Sequence, residues 1–344
     1  MKLEAEARKR GAKGYAATAQ SLKKFKPSTE CADVPDEYYI DGVVTKLAVD
    51  YINNYSGHKP LFFAVGYQRP HLPFVAPKKY WDMYDANTIP LAQFRQKAAD
   101  SPNCAYHNSP ELQSYTDIPA LISFSDINNV ILPEQKEREL IHGYYACVSF
   151  IDAQIGRLLD ALEKNEMMDN TAIVFWGDHG WHLGDHGLWN KHTNFEDATR
   201  VPLMIYVPGT KAQDIKAPVE FLDIYPTLCE LVGHRPDQIL HGSSLMPIIK
   251  GQQKSVKDYA VSQYPRKGLM GYSLRTERYR YTVWVKHDKT ILRNEVVAEE
   301  LYDYKKDPLE TRNVIQHKSY HKAATQMRAH WEDYKASERG HYHL

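Results

Sequence analysis

Short runs that are apolar throughout alternate, along this chain, with longer stretches whose apolar residues recur every three to four positions. Ala172-Ile-Val-Phe-Trp176 is an unbroken apolar run between Asn170 and Gly177, and Leu61-Phe-Phe-Ala-Val65 is a second. Runs of this length predict strands buried on both faces. Helical spacing marks Glu37 to Tyr55, through Ile40, Val44, Leu47, Ala48, Tyr51, Ile52 and Tyr55. It marks Glu134 to Met167 more plainly, with Ile141, Tyr144, Tyr145, Val148, Ile151, Ile155, Leu158, Leu159 and Leu162 on one face and Pro133 before the first turn. Helices alternating with buried strands predict an α/β layer. The longer helix is long enough for a right-handed crossover between neighbouring parallel strands.

A further strand is expected at Pro202 to Val207, and a short helix at Phe221 to Val232 with Gly233 as its stop. Beyond Lys250 the texture changes. Tyr259 to Tyr264, Met270 to Arg275, Tyr279 to Val285 and Glu300 to Tyr304 are short, aromatic and β-branched, so they predict a small antiparallel sheet, with one helix between Asn313 and Glu338 laid against it. Residues 1–36 are basic and turn-rich and read as a poorly packed segment. Pro77 to Pro133 has many prolines and no sustained periodicity, and is expected along the rim of a cleft. The expected organisation is 1–36, a main α/β portion over 37–250, and a C-terminal subdomain over 251–344.

The totals narrow the field. There are 344 residues, with 43 basic and 43 acidic side chains, so nothing favours a nucleic-acid or membrane-surface partner. No run of eighteen apolar residues occurs, and the first ten residues lack the apolar stretch of a secretory signal. The four cysteines have no Cys-x-x-Cys spacing, which removes a zinc knuckle. Cys147 and Cys229 fall in helical patterns as buried thiols, whereas Cys31 and Cys104 lie in loops, free or paired.

Candidate chemistry follows the Ala172 run directly, as Gly177-Asp178-His179-Gly180. Ligands collect beyond the carboxyl ends of strands in open α/β sheets, and glycines on either side let both side chains leave the strand and converge. Alone, the triplet is equally a turn with a solvated carboxylate. It recurs as Asp185-His186-Gly187, followed by Trp189, Lys191 and Arg200-Val-Pro-Leu203. This pattern resembles the sulfatase family of the alkaline-phosphatase-like superfamily. Gly66-Tyr-Gln-Arg-Pro-His71-Leu-Pro-Phe74, in isolation a proline-stiffened loop, is similar to the iduronate-2-sulfatase branch. So are Ser262-Gln-Tyr-Pro-Arg266, Met270 to Arg275 and Tyr279 to Trp284, while Glu300 to Glu310 looks like an ending shared by many sulfatases. The resemblance covers roughly residues 33 to 310.

The resemblance implies an alkaline-phosphatase-like sheet flanked by helices, and hydrolysis of a sulfate ester in a sulfated uronic acid or glycosaminoglycan-like polysaccharide. Asp178 and His179 would be ligands of a divalent metal, in such enzymes usually calcium. Lys191 and His71 would hold sulfate oxygens, and one of the two would also protonate the leaving alcohol. Trp181, His182, Gln263, Tyr264 and Arg266 are weaker candidates for sugar contacts, each with a structural role as the alternative. Two family features are missing: no adjacent Asp-Asp pair occurs, and no Cys-x-Pro-Ser-Arg, whose cysteine becomes the formylglycine nucleophile. Phe25-Lys-Pro-Ser-Thr29 is only a decoy. The sequence therefore resembles a sulfatase lacking its N-terminal part, expected to be inactive or severely impaired alone. A separate N-terminal half is an expected partner, and the family places such enzymes in periplasm, lysosome or medium. Two other readings stay open: a non-catalytic module that binds sulfated glycan, and a phosphoester hydrolase of the same superfamily.

Overall fold

The structure is a computed structural model that describes residues 25–57, 59–119, 132–288 and 291–337. Most of the segment expected to pack poorly, residues 1–24, lies outside the described residues, as does part of the proline-rich stretch. The chain divides into two compact units. Unit 1 takes Met1–Arg95, Asn108–Thr171 and Leu183–Asn190; unit 2 takes Gln96–His107, Ala172–His182 and Lys191–Leu344.

In unit 1, β1 (Thr29–Ala32) pairs in parallel with β2 (Phe74–Pro77), Thr29 opposite Phe74. Between them in sequence lies α1 (Ile40–Asn53), and α2 (Glu134–Lys164) packs on both α1 and β2. Glu134 and Glu137 in the first turn of α2 and Lys164 in its last suit the helix dipole. The face α2 buries is rotated from the expected one. Ile141 and Ile151 are buried as expected, but Leu140, Gly143, Ala146, Cys147, Phe150 and Gln154 also point inward, while Val148 and Leu159 are exposed. Gly143 is the reason: a Cβ there would stand 2.8 Å from Phe74 Cβ, so its bare backbone brings α2 against β2 and turns the small residues toward the strand.

The stripe buried by α1 is also shifted, to Asp41, Thr45, Ala48 and Ile52, leaving Leu47 63% exposed. Asp41 accounts for this. Its buried carboxylate accepts the backbone N–H of Gln68 (2.7 Å) and of Arg69 (3.3 Å), a partnership that a solvent-facing position could not give. The expected Leu61–Val65 strand is not formed. Those residues carry no ladder; Phe62 is 82% exposed, and Phe63 stacks on Tyr51 with ring centroids 4.9 Å apart. An apolar run becomes a strand only where a neighbouring backbone meets its hydrogen bonds.

In unit 2, β3 (Ile173–Trp176) pairs with β4 (Leu203–Tyr206), and the pairing is antiparallel, Ile173 opposite Tyr206. The parallel crossover expected between the two apolar runs is therefore absent among the described residues. Nor is either strand buried on both faces: Trp176 of β3 is 46% and Met204 of β4 59% exposed. After α3 (Ile224–Leu231) come β5 (Ala260–Arg266), β6 (Leu269–Arg275), β7 (Tyr279–Asp288) and β8 (Ile291–Asp303), an antiparallel sheet in the order β8-β7-β6-β5. The helix α4 (His321–Ala336) lies against it, as the sequence predicts. Tyr272, Leu274, Tyr281, Val283 and Leu301 of the sheet close on Met327, Trp331 and Tyr334 of the helix. The segment 96–107 joins the same unit: Ala99 N donates to Thr311 O at 2.9 Å, and Ser101 Oγ donates to the fully buried carboxylate of Glu300 at 2.8 Å. Cys147 and Cys229 are buried, as expected.

Candidate functional site

The candidate site of unit 2 begins where β3 stops. Gly177 N donates to Pro202 O at 3.2 Å, extending the ladder by one rung, and the chain then turns away. Gly180 N donates to Ala198 O at 2.9 Å, and a Cβ on Gly180 would lie 2.0 Å from Asp197 O. Only glycine fits between these backbones, so the turn that presents Asp178 and His179 is seated directly on the 196–199 helical turn.

His179 Nδ1 bonds Gly180 O at 2.9 Å, and its Nε2 is 3.6 Å from Asp178 Oδ2. With Nδ1 donating to a carbonyl, neutral His179 presents its lone pair at Nε2, the arrangement by which a second hydrogen bond orients a ligating imidazole. The indole of Trp181 lies near-parallel to His179, centroids 5.9 Å apart, and Lys191 Nζ sits 4.9 Å from the indole centroid. Carboxylate, imidazole, indole and ammonium thus form one contiguous array. Asp178 itself is open, its side chain 85% exposed.

These residues fit a metal only in part. Two acceptor groups 3.6 Å apart suit two ligand positions around one cation, but calcium takes six to eight oxygens. Among the described residues no cluster of three or more His, Cys, Asp or Glu ligands includes Asp178 or His179. By themselves Asp178 and His179 offer two ligand groups.

The weaker candidates divide. His182 is fully buried, its Nε2 bonded to Thr193 Oγ1 at 2.8 Å and its Nδ1 3.7 Å from Asp197 Oδ2, so it braces the loop after Lys191 and does not face a sugar. Gln263 is exposed but alternates to the opposite face of β5 from Tyr264 and Arg266. Tyr264 and Arg266 converge on His192. Arg266 Nη2 donates to His192 O at 2.6 Å, its guanidinium lies 4.9 Å from the Tyr264 centroid, and the His192 and Tyr264 rings are 5.6 Å apart. Burial, helped by Arg266, pushes nearby His107 down to about 3, so it stays neutral in ordinary buffers.

His71 belongs to unit 1. Its Nδ1 bonds Leu72 O at 2.8 Å and its Nε2 lies 3.0 Å from Glu111 Oε1. The loop before it is held by Asp41, by Thr45 Oγ1 at 3.0 Å from Tyr67 OH, and by Arg69, which donates to Pro73 O at 2.9 Å. The second triplet is also in unit 1, with His186 buried and its N–H donating to Phe94 O at 2.7 Å. Asp41, Glu111, Thr193 and Glu196 are supporting residues that the sequence reading missed. Asp41 alone left a signal, a carboxylate interrupting the apolar spacing of α1.

The sulfatase family model matches residues 6–234, and a model described as N-sulphoglucosamine sulphohydrolase, C-terminal, matches 184–337. The chain belongs to the sulfatase family, whose members generally use a metal ion and formylglycine. Among its relatives is iduronate 2-sulfatase of Mus musculus, 33% identical over 356 residues, covering 83% of this chain and 63% of that protein. The chain thus spans less than two thirds of that relative's length. Among solved structures, a phosphonate monoester hydrolase of Agrobacterium radiobacter aligns at TM-score 0.71 and 22% identity, covering 97% of this chain and 69% of that one. A protein solved in complex with its substrate D-glucosamine-2-N,6-O-disulfate aligns at TM-score 0.65 and 21% identity, covering 87% and 69%. At these identities the structures establish the alkaline-phosphatase-like fold alone.

Proposed function

We propose that this chain supplies the C-terminal part of a sulfuric ester hydrolase of iduronate 2-sulfatase type, acting on a sulfated uronic acid in a glycosaminoglycan-like polysaccharide. The observation that carries the reading is the contiguous array of Asp178, His179, Trp181 and Lys191 at the end of β3. A sulfate ester is anionic, and its charge must be neutralised before a nucleophile reaches sulfur. Lys191 holds one sulfate oxygen, fixed in place by the indole beneath its ammonium. His71, assigned by its motif, holds another, and Glu111 and Leu72 O orient its ring.

Asp178 and His179 supply two ligands of a divalent cation, in this family usually calcium. A bound cation would polarise the sulfate oxygens. The remaining ligands, an Asp-Asp pair, and the formylglycine nucleophile come from polypeptide outside these 344 residues. The chain alone is then inactive or severely impaired. Work in periplasm, lysosome or medium fits the family.

Mass analysis of the native complex, following the Lys191 peptide, tests the reading. A longer chain or a companion polypeptide carrying the Asp-Asp pair and the oxidised cysteine supports it. A lone folded chain near 40 kDa, binding sulfated disaccharide without cleaving it, replaces it with the glycan-binding module. A phosphoester hydrolase of the same superfamily is the alternative, and a preference for phosphate over sulfate esters in the assembled enzyme would select it.

A further inference from the structure

Lys191 opens a loop, 191–196, that almost every second residue fastens to the C-terminal sheet. His192 O accepts from Arg266 of β5 at 2.6 Å. Asn194 Nδ2 donates to Gly271 O of β6 at 3.2 Å, and a Cβ on Gly271 would stand 2.6 Å from that nitrogen. The carboxylate of Glu196 takes both Arg275 Nε and Nη2 at 3.0 Å and also meets buried Arg280 of β7, while Glu196 N donates to Glu310 Oε2 at 2.9 Å. Apart from Glu310, the partners come from three successive strands, so the sheet acts as a template along which the loop is laid.

We infer that this sheet positions Lys191 for its anionic ligand, and that Arg266 is the positioning residue through which it does so. Of the three side-chain ties, that of Arg266 falls on the residue adjacent to Lys191; the others fall three and five positions beyond. A guanidinium donating to a carbonyl at 2.6 Å is a charge-assisted bond, stronger than its neutral counterpart. The Tyr264 ring lies against both the guanidinium, at 4.9 Å, and the His192 ring, at 5.6 Å. The cation is therefore directed at the chain's own backbone, which gives Arg266 a role different from a sugar contact. The inference rests on the reading of Lys191 as a ligand of sulfate.

Hydrogen exchange of amides 192–194 and acylation of Lys191, each followed by mass spectrometry with and without inorganic sulfate, separate the two claims. In Arg266→Ala the amides of 192–194 should exchange at least about tenfold faster, with the β6–β7 ladder unchanged, since one anchoring bond is lost. Sulfate should protect Lys191 from acylation in the parent and not in the variant. Arg266→Lys, which keeps one donor, should restore part of both effects. Unchanged exchange at 192–194, or faster exchange throughout β5–β7, overturns the inference. So does sulfate protection equal in parent and variant. If sulfate fails to protect Lys191 even in the parent, the sulfate reading falls and the inference about its ligand falls with it, while the exchange result still decides the loop anchoring. If Arg266→Ala does not fold, Asn194→Ala serves, with a rise of about threefold expected and no change overturning the template.

Discussion

The C-terminal sheet and the β3–β4 ribbon belong to the same unit and are both rich in apolar residues, yet they end in opposite states. In the sheet, Tyr272, Leu274, Val283 and Trp284 are sealed from water. In the ribbon, Trp176, Met204 and Tyr206 stay exposed. Tyr272 and Leu274 alternate with residues facing the other way, so one face packs on α4 while the opposite face takes the 191–196 loop; each layer has a partner in this chain. Ile173 to Trp176 has no such alternation. A uniformly apolar strand needs cover on both faces, and the described residues provide too little of it. Apolar content makes a strand, but the pattern decides how many neighbours it needs.

Substitution in the two regions sharpens this difference. Trp331→Ala, which empties the contact between α4 and the sheet, should cost about 4 kcal/mol in urea denaturation. Met204→Ala in the ribbon should cost less than about 0.5 kcal/mol, and a cost like that of Trp331→Ala would show that the ribbon is covered in solution.

Next in size is Glu196→Gln. Burial alone would raise this carboxyl, but Arg280 and Arg275 hold it down at about 2, from an ordinary 4.5. A carboxylate whose pKa is depressed by folding contributes stability that is present above about 4.5 and lost as pH falls through about 2. The contribution is on the order of 3 kcal/mol. Acid titration of the parent should therefore show a loss in that window which Glu196→Gln lacks, and an identical pH profile would deny Glu196 this role. Smaller again, Met204→Lys should lower binding of a hydrophobic dye and leave the melting temperature within about 2 °C. Gln263→Ala, at an exposed position of β5, should change neither stability by more than about 0.5 kcal/mol nor sulfate protection of Lys191.

The sheet and α4 were legible in the sequence because their aromatic and β-branched residues recur at the period of the element they form. The first half of β8 was not, since Arg293, Asn294 and Glu295 interrupt the apolar pattern there. Asp178, His179 and Lys191 were legible as a motif, and the structure places them in one array with Trp181. Their supports were not. Asp41 acts on a loop 27 residues away, and Glu196 on arginines about 80 away. No local spacing encodes such pairs. The inward face of α2 was misjudged because bulk was weighed above smallness: Gly143 and Ala146 mark the contact by what they lack.

The bond from Ser101 to Glu300 has a consequence in time. Its partners are 199 residues apart, so during synthesis at about 5–20 residues per second Ser101 waits roughly 10–40 s for Glu300 to leave the ribosome. Until then the 96–107 segment lacks the buried carboxylate that Ser101 is bonded to in the fold. A nascent chain must carry the Ser101 hydroxyl without this partner while those 199 residues are made, a delay in which a chaperone rather than a fold would be its natural neighbour.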